Sequence, residues 1–300
     1  MVSAFLGGRF VDAQAEADRA LALYDPHRAE RWVQLTGYDL KTFVEVYACQ
    51  MLWMLGYPDR ARQLSESSRA HAESVGHAFN RVWAVVFGAY VYAYTREPER
   101  LMALTGEAER LAREQGIAFI QTVSVPQALG VATLEAGGDA EAVTLLRRGI
   151  EAWTRHGGNV RVPYLKSRLA EGLARLGDLD AALELVEQCV AQIERPAWQE
   201  REWLAEVLRV KGTILARLRR GEAAEATLRA AVDCARAQQA RGWELRASTS
   251  LARLLAESGR RAEAAALLAG ISGWFTEGAD TPDVLDARAL LLELTRHMEG

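Results

Sequence analysis

Leu165-Lys166-Ser167-Arg168-Leu169-Ala170-Glu171-Gly172-Leu173-Ala174-Arg175-Leu176-Gly177-Asp178-Leu179-Asp180-Ala181-Ala182-Leu183-Glu184-Leu185-Val186-Glu187-Gln188-Cys189-Val190-Ala191-Gln192-Ile193 is the stretch from which the fold is read. Before Gly177, Leu165, Leu169, Leu173 and Leu176 recur at the spacing of one helix face. After it, Leu183, Val186, Val190 and Ile193 do the same. Glycine supplies the permissive backbone that a tight helix–helix turn needs. Ala182 is small enough to let the second helix pack closely on the first. The stretch predicts a helical hairpin.

The same turn recurs along the chain as Gly or a charged substitute, a polar or small residue, an apolar residue, and then Ala or another apolar residue three positions on. It reads Gly8-Arg9-Phe10-x-x-Ala13, Gly56-Tyr57-Pro58-x-x-Ala61, Arg96-Glu97-Pro98-x-x-Leu101 and Gly138-Asp139-Ala140-x-x-Val143. Gly177-Asp178-Leu179-x-x-Ala182, Gly221-Glu222-Ala223-x-x-Ala226 and Gly259-Arg260-Arg261-x-x-Ala264 complete the series. The separations are 48, 40, 42, 39, 44 and 38, with a mean near 42. Breakers at Gly76-His77, Gly116-Ile117, Gly157-Gly158, Arg195-Pro196 and Gly242-Trp243 are expected between hairpins, with Pro163 and Pro196 at helix starts. A hairpin of this size buries its apolar stripe only by stacking on its neighbours. The period makes Val82 to Thr95 helical despite its Val and Tyr content, and Pro126 predicts a kink or a helix start near Thr122.

Composition agrees. The 300 residues include 52 Ala and 38 Leu but only 7 Pro, which is helix-forming chemistry. Net charge is −4 and no basic block exceeds Arg217-Leu218-Arg219-Arg220, so no broad nucleic-acid-binding face is expected. That block is read as a helix end complementing the dipole. The longest uncharged run, Gln115 to Leu134, is interrupted by Gln121, Thr122, Ser124, Pro126 and Gln127, so no membrane span is expected. Cys49, Cys189 and Cys234 form no Cys-x-x-Cys pair and predict reduced thiols in a cytoplasmic protein.

The turn marks resemble the tetratricopeptide repeat, whose usual length is about 34 residues; here each hairpin is roughly two helical turns longer. A second resemblance rests on motifs in fixed order. They are Tyr24-Asp25-Pro26-His27-Arg28, Leu52-Trp53-Met54-Leu55-Gly56-Tyr57-Pro58-Asp59-Arg60-Ala61, Gly76-His77, Glu202-Trp203-Leu204-Ala205-Glu206-Val207-Leu208-Arg209-Val210-Lys211-Gly212, Trp243-Glu244-Leu245-Arg246-Ala247 and Gly273-Trp274-Phe275-Thr276-Glu277-Gly278. Together they resemble the C-terminal repeat region of multidomain bacterial class III adenylate cyclase and ATPase signalling proteins. The resemblances imply an all-α fold: a right-handed superhelical solenoid of about seven long antiparallel hairpins over residues 1–280, with residues 281–300 as a C-terminal capping helix of the same domain. Thr281-Pro282-Asp283 suits the start of that helix, and Leu285, Ala289, Leu292 and Leu294 to Met298 are expected to cover the last repeat.

The cyclase and ATPase activities do not carry over. Lys41, Lys166 and Lys211 follow no glycine, so no phosphate-cradling Gly-x-x-x-x-Gly-Lys-Ser/Thr exists. His27, His71, His77, His156 and His297 form no His-Glu-x-x-His, and neither a metal nor a cofactor is expected. The chain is read as non-enzymatic, although a longer parent of this family would carry the cyclase and ATPase domains.

The first hundred residues hold 15 of the 23 aromatics. In tetratricopeptide folds the first helix of each hairpin lines the concave groove. Counting back from each turn places Phe43, Gln50, Trp53, Trp83, Tyr90, Tyr94, Tyr164, Glu171, Arg209, Arg246 and Arg253 there. The ligand-facing surface is expected to centre on Trp53, Trp83, Tyr90 and Tyr94, with the three arginines favouring an acidic end of a partner. The favoured function is a sensor or docking module that binds a peptide, a protein segment or a small effector. Two alternatives stay open: the metabolite-sensing region of an ATP-dependent transcription regulator, and a free-standing scaffold. Met1 to Gly8 read as the end of a first helix. That predicts a piece of a longer protein, with Phe5, Leu6 and Phe10 lacking a neighbour and available for self-association.

Overall fold

Ala and Leu at helical spacing build helices throughout, and among the described residues there is no strand. The computed structural model describes residues 1–196 and 198–296. In order the helices are α1 (Val2–Leu6), α2 (Phe10–Ala22), α3 (Ala29–Thr36), α4 (Leu40–Met54), α5 (Pro58–Val75), α6 (Ala78–Gly88), α7 (Tyr90–Tyr94) and α8 (Pro98–Glu114). There follow α9 (Val125–Glu135), α10 (Asp139–Arg155), α11 (Val162–Arg175), α12 (Leu179–Ile193), α13 (Leu204–Arg217), α14 (Gly221–Ala237), α15 (Arg241–Glu257), α16 (Arg261–Ser272) and α17 (Pro282–Arg296). A short 3₁₀ turn, Pro26–Arg28, precedes α3, and a π turn, Ile120–Ser124, precedes α9. The π turn is the irregularity foreseen near Pro126. Pro26, Pro58, Pro98, Pro126 and Pro163 each lie in the first positions of a helical element, where the missing N–H costs no bond.

The structure sharpens the repeat. The residues with left-handed backbone at the hairpin turns are Gly8, Gly56, Arg96, Gly137, Gly177, Arg219 and Gly259. Five positions after each lies a buried residue: Ala13, Ala61, Leu101, Ala142, Ala182, Ala224 and Ala264. Two marks are therefore corrected. Gly138 gives way to Gly137, and Gly221 to Arg219; Gly221 instead opens α14. After a first separation of 48, the left-handed residues fall 40, 41, 40, 42 and 40 apart. The surplus in the first interval matches α3, a helix of eight residues inserted between two hairpins. Two connector readings also change. Gln239, not Gly242, is the left-handed residue before α15, and Pro196 lies in a non-helical segment ahead of α13 rather than at its start.

The chain divides into two units. One comprises Met1–Phe5, Arg9–Trp53 and Tyr57–Asn159; the other comprises Leu6–Gly8, Met54–Gly56 and Val160–Gly300. In the first, Phe5 and Phe10 are fully buried. Their rings meet edge to face at 6.0 Å, and Phe5 meets Tyr47 at 5.7 Å. The expectation that Phe5 and Phe10 lack neighbours is thus corrected, because α2 and α4 supply them.

In the second unit, Leu245, Leu251, Leu255, Leu268, Ile271, Val284 and Leu294 pack into one apolar cluster. Gly212 on α13 lets α14 approach so closely that a β-carbon there would stand 2.6 Å from Leu228 Cγ. The last helix seats Val284, Ala287 and Leu294, whereas Leu285 and Leu292 are each 51% exposed and Ala289 is exposed. Of the expected covering residues Leu294 is therefore seated, while Leu285, Ala289 and Leu292 give way to Val284 and Ala287; His297 and Met298 lie outside the described residues. No helix among the described residues is long and apolar enough to cross a membrane.

Candidate functional site

In the first unit a run of aromatic rings grows from helical spacing alone. Phe43 and Tyr47 are four apart on α4, and Phe79, Trp83 and Phe87 are successively four apart on α6, so each set projects along one helix face. Trp83 stacks on Phe87 at 3.8 Å and on Phe79 at 5.6 Å. Tyr38 meets Phe43, Phe79 and Trp83 edge-on at 5.3, 5.4 and 5.5 Å. Tyr47 joins Phe43 at 5.3 Å and Phe87 at 6.4 Å. All six of these rings are half-buried. From Phe87 the run continues inward through Tyr90 and Tyr94 to Trp53, with centroids 6.3, 6.4 and 5.1 Å apart in turn.

The expected aromatic centre therefore divides. Trp83 keeps an exposed edge, but Trp53 and Tyr90 are each 4% exposed and Tyr94 is fully buried. Gln50 is buried as well. Its amide donates to the Val46 and Phe87 carbonyls at 2.8 and 3.3 Å, and its oxygen accepts from the Tyr94 hydroxyl at 3.2 Å. Trp53, Tyr90, Tyr94 and Gln50 thus form the packed floor of the run rather than an open surface. Tyr38, Tyr47, Phe79 and Phe87 are the members that the sequence reading missed; the four-residue spacing of Phe79 and Phe87 about Trp83 was the available signal.

Beside the run, a buried Asp39 fixes the start of α4. Burial pushes its carboxyl up, but the Thr42 N–H and hydroxyl, the Tyr24 hydroxyl and His71 bring it below the usual carboxylate range. Thr42 N and Oγ1 donate to Oδ2 at 2.9 and 2.8 Å, Tyr24 donates to Oδ1 at 2.8 Å, and His71 Nε2 lies 2.9 Å from Oδ2. These bonds tie α5 and the segment before α3 to α4.

The second unit carries a ladder of charge on successive first helices. Arg168 and Glu171 on α11 pair at 2.5 Å, and Arg209 grips Glu206 on α13 through Nε and Nη2 at 2.7 and 2.8 Å. Glu171 Oε1 lies 3.6 Å from Arg209 and 3.8 Å from Arg175. Glu206 Oε1 lies 3.8 Å from Arg246 on α15 and 3.9 Å from Arg168. Arg246 Nε donates to Asp283 on α17 at 2.7 Å and its guanidinium lies 5.2 Å from the Trp243 ring centroid. Burial pushes the Glu171 carboxyl up, but Arg168, Arg209 and Arg175 outweigh it and hold it at about 2. The structure thus brings the expected Glu171, Arg209 and Arg246 together. It leaves Arg253 apart, exposed and 3.9 Å from Asp286, while Tyr164 is buried against Trp203 at 5.5 Å. Arg168, Glu206 and Asp283 were missed, although Arg168 with Glu171 and Glu206 with Arg209 show the three-residue spacing of helical ion pairs.

Among the described residues no group of three or more His, Cys, Asp or Glu could hold a metal ion. Burial pushes all three thiols up, Cys189 to about 12 and Cys234 to about 11, so none is an activated nucleophile.

No family model matches the chain, and no curated protein matches it. Solved structures do. That of NprR in complex with its cognate peptide NprX covers 96% of this chain and 84% of its own, with a TM-score of 0.62 and 14% identity. The apo form of the quorum sensor NprR from B. thuringiensis covers 95% and 79%, with a TM-score of 0.56 and 15% identity. A Rap protein complexed with competence and sporulation factor covers 87% and 76%, with a TM-score of 0.59 and 12% identity. The chain has a tetratricopeptide-like helical-repeat fold. At these identities the likeness bears on fold alone, and it offers no counterpart to the cyclase–ATPase resemblance.

Proposed function

We propose that this chain is a non-catalytic binding module for a peptide or protein segment, and that the aromatic run of the first unit is a principal docking surface. The observation that carries this reading is the set of six half-buried rings, Tyr38, Phe43, Tyr47, Phe79, Trp83 and Phe87. They offer continuous apolar area with few rotatable bonds to freeze, which is the economy by which aromatic anchors dominate binding. The similarly folded NprR and Rap structures hold a peptide, NprX, and a competence and sporulation factor, which supports a peptide as the partner class. In the second unit Arg168, Arg175, Arg209 and Arg246 gather with Glu171, Glu206 and Asp283 in one charged cluster, which would give a partner's polar or charged group a specific place to register. A role as the sensor region of a larger nucleotide cyclase–ATPase protein, active in the cytoplasm, is a finer part of the proposal and rests on sequence resemblance alone.

A peptide-display selection on the full chain tests the reading. Enriched peptides should carry aromatic or large aliphatic residues. Trp83→Ala should weaken the best of them by about 2 kcal/mol, roughly 30-fold, with unchanged helical content. Trp53→Ala, in the floor, should instead lower stability by about 3–5 kcal/mol. Failure to enrich any peptide, or enriched peptides indifferent to Trp83→Ala, would overturn it.

A further inference from the structure

The insertion α3 lies over a cavity that the repeat does not need. The cavity, of about 480 Å³, is bounded by Leu21 and Leu23 at the end of α2, Trp32 on α3, and Leu40, Lys41 and Val44 on α4. A cavity left by deleting one large side chain is about 150 Å³, so this space exceeds what one anchoring residue fills and falls within the range of small-molecule sites. Its walls are mostly apolar; Lys41 contributes the only charged side chain among the lining residues, and the ammonium of Met1, which also lines the cavity, is paired with Glu16. Lys41 is also one of just three lysines in a chain with 36 basic residues.

Two further observations mark the place as a site rather than a packing defect. No residue of α3 is buried, although Trp32, Val33 and Leu35 give it an apolar side. Leu23, which lines the cavity, and Leu35 on α3, at 84% and 66%, are the most exposed large apolar side chains among the described residues. A solvated helix that carries apolar residues over an apolar cavity is placed to close on something. Lys41 Nζ is only loosely engaged, 3.8 Å from Glu45 Oε1, and the other Glu45 oxygen is buried without a partner. Burial pushes the Glu45 carboxyl up, against the pull of Lys41.

We propose that this cavity binds a small amphipathic carboxylate with an aliphatic body of fatty-acid type, its chain among Leu21, Leu23, Leu40 and Val44 and its carboxylate on Lys41 Nζ, with α3 closing over it through Trp32. Phe43 lines both this cavity and the aromatic run, but the occupant proposed here does not depend on the peptide reading.

Calorimetric titration of the full chain with decanoate, below its micellar range, and with decan-1-ol is the test. Decanoate should bind, and decan-1-ol should bind about ten-fold more weakly. Lys41→Met should erase that difference and Lys41→Arg should keep it. Leu21→Trp, filling the cavity from a half-buried wall, should abolish binding of both; if that variant loses its cooperative thermal transition, Val44→Phe takes its place. Decanoate should slow amide exchange across residues 29–36. Trp83→Ala should leave decanoate binding intact, which separates this site from the peptide surface. No binding to the wild-type chain, equal affinity for acid and alcohol, or decanoate binding that survives both cavity-filling variants would overturn the proposal.

Discussion

Glu200 and Glu202 show how far a single residue can set a bulk property. Both are buried, and neither Glu202 oxygen has a hydrogen-bond partner. Burial raises the Glu200 carboxyl to about 7 despite the backbone N–H of Arg161 and that residue's charge. Burial, and then the charge of Glu200, push Glu202 well above the usual range. A carboxyl that titrates higher folded than unfolded keeps its proton longer in the folded state. Its stabilisation is therefore complete below the ordinary carboxylate range and is lost as pH rises through about 7. Glu200→Gln keeps an acceptor for the Arg161 N–H and removes the titration. Between pH 5 and 8 its thermal midpoint should fall less steeply than that of the wild type and should stand higher at pH 8; an equal or steeper fall would refute the assignment. Nothing in the sequence announces this pair, because burial of the segment before α13 depends on packing that no local pattern encodes.

Among elements, the turns and the last helix separate what was legible from what was not. The period and the helical state of most of Val82 to Thr95 were readable, because apolar spacing over a forty-residue repeat outweighs local β propensity, although the break at Ala89 between α6 and α7 was not. Two turn positions were misplaced because arginine does the work of glycine at Arg219, and because Gly137-Gly138 offers two candidates. Arg219 is exposed and holds a left-handed backbone at φ 61°, a conformation that disfavours any residue with a β-carbon. Arg219→Gly should raise stability by about 0.5–1 kcal/mol in denaturant titration, and a loss would show that the arginine side chain matters more than its backbone strain. The face of α17 was partly misjudged because five leucines leave its apolar side ambiguous. Leu294→Ala should cost about 2–5 kcal/mol, whereas Leu292→Ser, on the exposed side, should change stability by less than about 0.5 kcal/mol. Comparable losses from the two would put the packed face back where the sequence suggested.

At the scale of the molecule, the scaffold was legible and the surfaces were only partly so. Repeats advertise themselves by recurrence, but Tyr38 reaches Phe79 and Trp83, and Asp283 reaches Arg246, across some forty residues of chain. The same contrast applies to α3. Its eight residues were visible as an over-long first interval, yet its exposure over a cavity was not. In such an array each hairpin draws its stability from its immediate neighbours. An overpacked Ala182→Leu should therefore cost about 1–3 kcal/mol. It should lower amide protection in α11, α12 and α13 while sparing α16 and α17; uniform loss across the second unit would contradict a nearest-neighbour account.

The constant five-residue step from each left-handed turn to its buried partner has a consequence for how such a chain tolerates changes of length. Where the turn shifts along the sequence, as at Gly137 and Arg219, the alanine shifts with it. The two move as a block, and the slack is taken up on the side before the turn. One residue added between Gly177 and Ala182 would rotate the rest of α12 by about 100° and swing Leu183, Val186 and Val190 off their face. One residue added at Asn159, in the non-helical link ahead of α11, would rotate nothing. Length polymorphism in this architecture is thus polarised: it can accumulate in the links between hairpins and is excluded from the few residues that open each second helix.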